Sequence, residues 1–229
     1  MYESIEENLK SVRGRIADAA GKAGRDQDEI TLVAVSKTHP AEAIRAAVEY
    51  GVTCLGEAQI REAEPKIEQL GRLARWHMIG HLQTNKVKKA VALFDLIESV
   101  DSWRLAAEID RRAAQAGRKI DCLLEVNISG EPSKTGIDPE ETTDLVAKMS
   151  VFDHLNLIGL MTIGPLTEDM KQIRGAFRRT KELFEHCRRQ AGTNFRVLSM
   201  GMSDDFEIAI EEGATMVRIG TAIFGRRPG

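Results

Sequence analysis

Eight short apolar runs, spaced between longer helix-patterned stretches, constrain this chain more than any other feature. The runs are ITLVAVS (30–36), VTCLG (52–56), RWHMIG (75–80), FDLIESV (94–100), IDCLLEVNI (120–128), LNLIGLMTI (155–163), FRVLSM (195–200) and TMVRIG (215–220). Their near-continuous hydrophobicity, rather than strict alternation, is the pattern of strands covered by helices in a parallel sheet. Between them, PAEAIRAAVEYG (40–51) carries Pro40 at its start and Gly51 at its end, and SWRLAAEIDRRAAQAG (102–117) opens on a serine cap and closes on a glycine. Both are helix signatures. Eight such units within 229 residues, with no Pro/Gly/Ser-rich linker, fit an α/β fold of one compact (β/α)8 TIM barrel. An open doubly wound sheet is the alternative, although six strands are more usual there. Ahead of the first run, Ile5, Leu9, Val12 and Ile16 form the stripe of an amphipathic helix reaching about Gly21. The expected organisation is a single domain over 1–229, with a leading helix at 1–23 and the barrel at 30–226.

Composition narrows the function classes. An ordinary apolar share of 42%, with 19 Gly and 6 Pro, excludes disordered and collagen-like chains. Lys plus Arg number 32 against 35 Asp plus Glu, so no global field draws the protein to nucleic acid or to an anionic membrane. The local basic groups (Lys86, Lys88 and Lys89; Arg178 and Arg179; Arg188 and Arg189) alternate with acidic neighbours and read as solvated faces. The three cysteines form no CxxC pair, which argues against a structural zinc or a thioredoxin-type site; Cys54 and Cys122 read as buried thiols. The polar start MYESIEENLK is unlike a signal peptide, and no run approaches membrane-spanning length. A reduced, cytoplasmic monomer without membrane or nucleic-acid partners is the expectation.

In such a barrel, functional groups sit at the C-terminal ends of the strands. Those ends carry Ser36-Lys37, Gly56-Glu57, Gly80-His81, Asp101, Asn127, Thr162, Met200 to Ser203, and Arg218 with Gly220-Thr221. Lys37 follows its strand directly: a desolvated amine there could attack a carbonyl, whereas a solvated lysine closing a strand is the plainer reading. Ser203 precedes the amphipathic FEIAIEEG as a helix N-cap would, and Gly220 and Thr221 stand where the chain leaves the eighth strand. Hydroxyls, backbone N–H groups and a glycine together make a phosphate cradle, and phosphate sites after strands seven and eight recur in this architecture. Simple capping explains Ser203 equally well, but gives no reason for Arg218 on the strand itself. A lysine facing a phosphate cradle fits a phosphorylated aldehyde held as a Schiff base, and pyridoxal phosphate is the commonest such cofactor.

The stretches LVAVSKTHP, WHMIGHLQTNK, SVD, SKTGI, GLMTI and LSMGMSDDFEIAIEEGATMVRIGTAIFG resemble the pyridoxal phosphate homeostasis proteins, from about Leu32 to Arg226. That family consists of single-domain, fold-type III barrels related to the N-terminal domain of alanine racemase. The resemblance implies that Lys37 is the Schiff-base lysine, that Ser203, Gly220 and Thr221 hold the cofactor phosphate, and that Arg218 faces the pyridine nitrogen. A permanent cation there disfavours ring protonation and damps carbanion chemistry. It implies vitamin B6 homeostasis, with pyridoxal-phosphate-dependent apo-enzymes as the partners to be served. Two positions depart from the family pattern: Gly56-Glu57-Ala58 replaces the common Gly-Glu-Asn, and His81 stands where proline is frequent. Ala58 removes one hydrogen-bonding side chain, worth about 1 kcal/mol net, so binding is expected to persist with altered affinity.

Other constellations are weaker. His77 and His81 have i, i+4 spacing but lie in a run that reads as strand, so no metal is expected. SGEPSKTG lacks P-loop spacing, has Pro139 after it in place of a helix start, and reads as a flexible surface loop; Met200 and Met202 read as packing at the barrel top. Two functions compete: a cofactor holder without turnover of its own, so with no catalytic residues, and an amino-acid racemase. Two-base racemisation needs a proton donor on each face of the cofactor, a lysine and a tyrosine in alanine racemase. Tyr2 is expected on the first helix and Tyr50 at the opposite barrel end, neither within reach of Lys37. The length also leaves no room for the second, β-rich domain that completes a racemase site. The holder is the expectation.

Overall fold

The computed structural model describes residues 3–131 and 134–225. Its eight strands are β1 (Thr31–Val35), β2 (Cys54–Glu57), β3 (Arg75–Met78), β4 (Leu96–Val100), β5 (Ile120–Val126), β6 (Leu155–Thr162), β7 (Val197–Ser199) and β8 (Met216–Ile219), one within each apolar run. They form a closed barrel in sequence order, every pairing parallel. The open-sheet alternative fails on one contact: β8 pairs β1, with Val33 opposite Arg218 and Ala34 opposite Ile219.

Strand alternation divides the apolar side chains between two layers. Val33, Cys54, Leu96, Leu123, Ile158, Met161 and Met216 form one cluster, inside the barrel. Ala34, Leu55, Ile97, Leu124, Leu198 and Val217 join the larger cluster between sheet and helices. The helices are α1 (Glu3–Lys22), α2 (Ala41–Glu49), α3 (Ile60–Leu70), α4 (Val87–Leu93), α5 (Trp103–Gln115), α6 (Pro139–Lys148), α7 (Met170–Ala191), α8 (Phe206–Glu211) and α9 (Thr221–Phe224). Among the described residues none is long and apolar enough to cross a membrane.

The end signals work as their chemistry requires. Pro40 occupies the N-cap position of α2, and Gly51 follows the helix with φ 86°. Ser102 Oγ accepts from the Leu105 N–H at 3.2 Å and starts α5. Pro139 departs from expectation: it is the first residue of α6, not a substitute for one, and Asp138 caps it through the Glu140 N–H at 2.8 Å. Proline suits that position, where the missing N–H would have no helical partner.

The leading helix α1 buries Ile5, Leu9, Val12 and Ile16 and packs on α2, α8 and α9, covering the seam between β8 and β1. Burying each such side chain is worth about 1.5–3 kcal/mol. Polar ties fix its register: Arg15 Nε lies 2.6 Å from Glu207, Asn8 Nδ2 donates to the Ile223 carbonyl at 2.9 Å, and Arg25, just past the helix, donates to the Ala214 carbonyl at 2.7 Å. The short helices that follow β7 and β8 are thereby held from outside the barrel.

Between β6 and β7 the backbones approach so closely that a Cβ on Gly159 would overlap the Val197 carbonyl. Gly159→Ala is expected to lower unfolding free energy by about 3 kcal/mol, the upper range for overpacking; an unchanged denaturation midpoint would contradict this account of the sheet.

Candidate functional site

At the C-terminal ends of the strands lies a cavity of about 370 Å³, within the range of roughly 300–1,000 Å³ that small-molecule sites occupy. Lys37, Ser203, Arg218, Gly220 and Thr221 all line it, with Ala58, Gly80, His39 and Met202. Five positions proposed from the sequence thus meet in one place, and the departure Ala58 falls on the same wall.

Lys37 lies one residue beyond Ser36, whose side chain turns to the helix layer. There Ser36 Oγ donates to Glu57 Oε1 at 2.7 Å. Lys66 of α3 donates to the same carboxylate oxygen at 2.7 Å and to the Ser36 carbonyl at 2.8 Å. Burial pushes the Glu57 carboxyl above its usual range, against the pull of Lys66 and Ser36. β1 ends at Val35, and Lys37 stands in the turn that follows, closed by the His39 N–H donating to the Ser36 carbonyl, where it lines the cavity.

Arg218 enters from β8, 5% exposed. Its Nη1 donates to Ser199 Oγ at 2.6 Å and its Nη2 to the Thr162 carbonyl at 2.8 Å. Glu98, fully buried on β4, lies 3.8 Å from the guanidinium, accepts from Ser199 Oγ at 2.7 Å, and meets His77 Nδ1 at 2.8 Å. Burial opposes a charged Glu98, but His77 and Arg218 outweigh it and hold the carboxyl below its usual range. Burial likewise opposes a charged His77, yet contact with Cys54 and Glu98 raises its pKa to about 9. For Cys54, burial pushes the thiol up and His77 more than reverses it, so the net shift is downward. His77, Glu98 and Ser199 escape a reading of strand ends; their signal was three polar side chains inside apolar runs.

Ser203 does not cap α8. The N-cap position belongs to Asp205, whose Oδ1 turns back to accept the Met202 N–H at 2.6 Å. Ser203 Oγ instead accepts the Ala222 N–H at 3.4 Å and links the loop after β7 to the first turn of α9. The reversal is set at Gly201, with φ 96°, where a Cβ would also press on Phe206 and Ala209. Met200 packs in the core as expected, but Met202 is exposed at the cavity.

The remaining candidates separate. His77 is buried, whereas His81 is half-exposed beside Asp101 at 3.0 Å. Among the described residues no group of three His, Cys, Asp or Glu side chains is arranged to hold a metal. Tyr50 ends α2 at the opposite end of the barrel, near the groove lined by Gly51, Val52 and Thr53; Tyr2 lies outside the described residues. In SGEPSKTG, Pro132 and Ser133 are likewise outside them, and Lys134 is tied to Glu131 at 2.7 Å and to the Gly164 carbonyl at 2.9 Å. Cys187 is buried along with Cys54 and Cys122.

The family model described as alanine racemase, N-terminal domain, matches residues 3–228. A pyridoxal phosphate homeostasis protein from Aquifex aeolicus is 43% identical over 222 residues, covering 96% of this chain and 97% of that one. A crystal structure of an unknown protein from Bifidobacterium adolescentis superposes with a TM-score of 0.93 at 39% identity, covering 97% of this chain and 95% of the other. PipY of Synechococcus elongatus, solved with pyridoxal phosphate bound, superposes with a TM-score of 0.85 at 37% identity, covering 96% and 100%.

The buried His77–Glu98 pair carries a pH signature. A folded pKa of about 9, above the free value of 6.5, means its stabilisation is complete below pH 6.5 and is lost as pH rises through about 9. In an NMR titration the His77 imidazole is expected to stay protonated at pH 7.5, and Glu98→Gln is expected to lower its pKa, since one of its two raising partners is lost while burial and Cys54 remain. A His77 titrating near 6.5 in both proteins would contradict the charged pair.

Proposed function

Since this chain belongs to the pyridoxal phosphate homeostasis proteins, we propose that it binds pyridoxal 5'-phosphate in the cavity at the strand ends, with Lys37 as the Schiff-base lysine, and holds it for release to apo-enzymes without turnover of its own. The observation that carries this reading is the meeting of Lys37, Arg218, Ser203, Gly220 and Thr221 around one cavity. A bound pyridoxal phosphate supplies an aldehyde for covalent attachment and a ring able to withdraw electrons.

The residues present suit both ends of that group. Lys37 offers an amine at the mouth of β1, with its backbone held from behind by α3. Ser203 and Thr221 offer hydroxyls beside the backbone N–H groups at the start of α9, and Gly220 presents no side chain to a phosphate placed there. Arg218 offers a fixed charge. Both of its terminal nitrogens are already committed to Ser199 and Thr162, so it cannot swing aside. Facing the ring nitrogen, it would keep that atom unprotonated, since adjacent cations repel. A ring so held is a weak electron sink, which favours holding the cofactor over chemistry on it.

The racemase reading needs a second acid–base group across the cofactor. Tyr50 is at the far end of the barrel and takes no part in lining the cavity.

Purified protein mixed with pyridoxal phosphate is expected to develop visible absorbance that borohydride traps and Lys37→Ala abolishes; the same absorbance in that variant would overturn the assignment. Exchange of the α-hydrogen of alanine in deuterated water is expected to stay at the rate of free cofactor. Exchange at an ordinary enzymatic rate, about 1 s⁻¹ or more, would overturn the holder reading.

A further inference from the structure

The backbone next to Lys37 is strained. Thr38 has φ 68°, a positive value shared among the described residues only with glycines. It stands at the third position of a turn closed by the His39 N–H donating to the Ser36 carbonyl at 3.1 Å. A positive φ at that position calls for Gly or Asn, and a β-branched residue rarely adopts it. Such a conformation persists only where its surroundings impose it.

Two side chains of α3 do so. Glu62 Oε2 accepts the Thr38 N–H at 3.2 Å. One helical turn later, Lys66 Nζ donates to the Ser36 carbonyl at 2.8 Å while neutralised by Glu57 at 2.7 Å. Residues at i and i+4 share one helix face, and here that face meets the chain on both sides of residue 37. We propose that Glu62 and Lys66 are positioning residues for Lys37: α3 grips the peptide groups flanking the lysine and keeps its amine aimed into the cavity before any ligand arrives. The proposal rests on Lys37 being the attachment point for pyridoxal phosphate. Its consequence is preorganisation, since a lysine whose backbone is already set has less freedom to lose on binding.

The test titrates the full chain with pyridoxal phosphate, traps with borohydride, and counts modified Lys37 by peptide mass spectrometry, with thermal unfolding of the unliganded protein alongside. Glu62 is partly exposed, so Glu62→Ala is expected to fold. It should raise the apparent Kd about tenfold, the scale of one strained residue released. Glu62→Gln keeps an oxygen for the Thr38 N–H but loses the charge, and is expected to bind within about twofold of wild type. Thr38→Gly placed in the Glu62→Ala protein accepts φ 68° without strain and is expected to recover most of the lost affinity. Lys66→Met combined with Glu57→Gln removes the other half of the grip without leaving a buried charge, and should weaken binding with Glu62 intact. Wild-type affinity in Glu62→Ala, or no recovery with Thr38→Gly, would overturn the positioning role. Wild-type protein trapped at a lysine other than Lys37 would instead overturn the site beneath it.

Discussion

Closure of the sheet between β8 and β1 is the constraint on which the site depends. The pairing sets Val33 opposite Arg218 and Ala34 opposite Ile219. Two strands distant in sequence therefore end side by side, Lys37 above one and Gly220-Thr221 above the other. The seam carries little helix of its own, because α8 and α9 are short. α1 compensates from the other end of the chain, packing across it and binding Glu207 and Ile223 through Arg15 and Asn8, while Arg25 just past the helix binds Ala214. The stripe Ile5, Leu9, Val12 and Ile16 thus contributes to the cavity by holding its wall at Ser203, Gly220 and Thr221 in place, without lining it.

Beneath the cavity the barrel holds charge rather than a purely apolar plug. Glu98 stands between His77 and Arg218, with Ser199 bridging it to the guanidinium. Burying an arginine is tolerable only when counter-charge and hydrogen bonds replace water. This arrangement supplies both and leaves Arg218 one orientation. The carboxylate on β4 is thereby connected to the electrostatics that a ring placed above Arg218 would meet.

Much of the fold could be read from local pattern. Continuous apolar runs locate strands, Pro40 and Ser102 mark helix starts, and Gly51 marks a stop, all within a few residues. What escaped reading depends on contacts across the barrel. In SDDF, one of three side chains could have capped α8; the reversal at Gly201 turned Asp205 back on Met202 and freed Ser203 for Ala222. Glu98 is one charge within an apolar run, and its partners lie on β3, β7 and β8, which local periodicity cannot pair. Pro139 was misread for a smaller reason: proline breaks a helix in its interior and suits its first position, and the chain here uses the second property. The candidate cavity was legible because its residues sit at strand ends, where this architecture concentrates function; the grip of α3 on Ser36 and Thr38 was not.

The most direct test of the central claim is a crystal structure of this chain grown with pyridoxal phosphate. The account predicts density continuous with Lys37 Nζ, the phosphate against Ser203, Gly220 and Thr221, and the ring nitrogen facing Arg218. Density attached elsewhere, or a ring turned away from Arg218 with the phosphate outside that cradle, would contradict it.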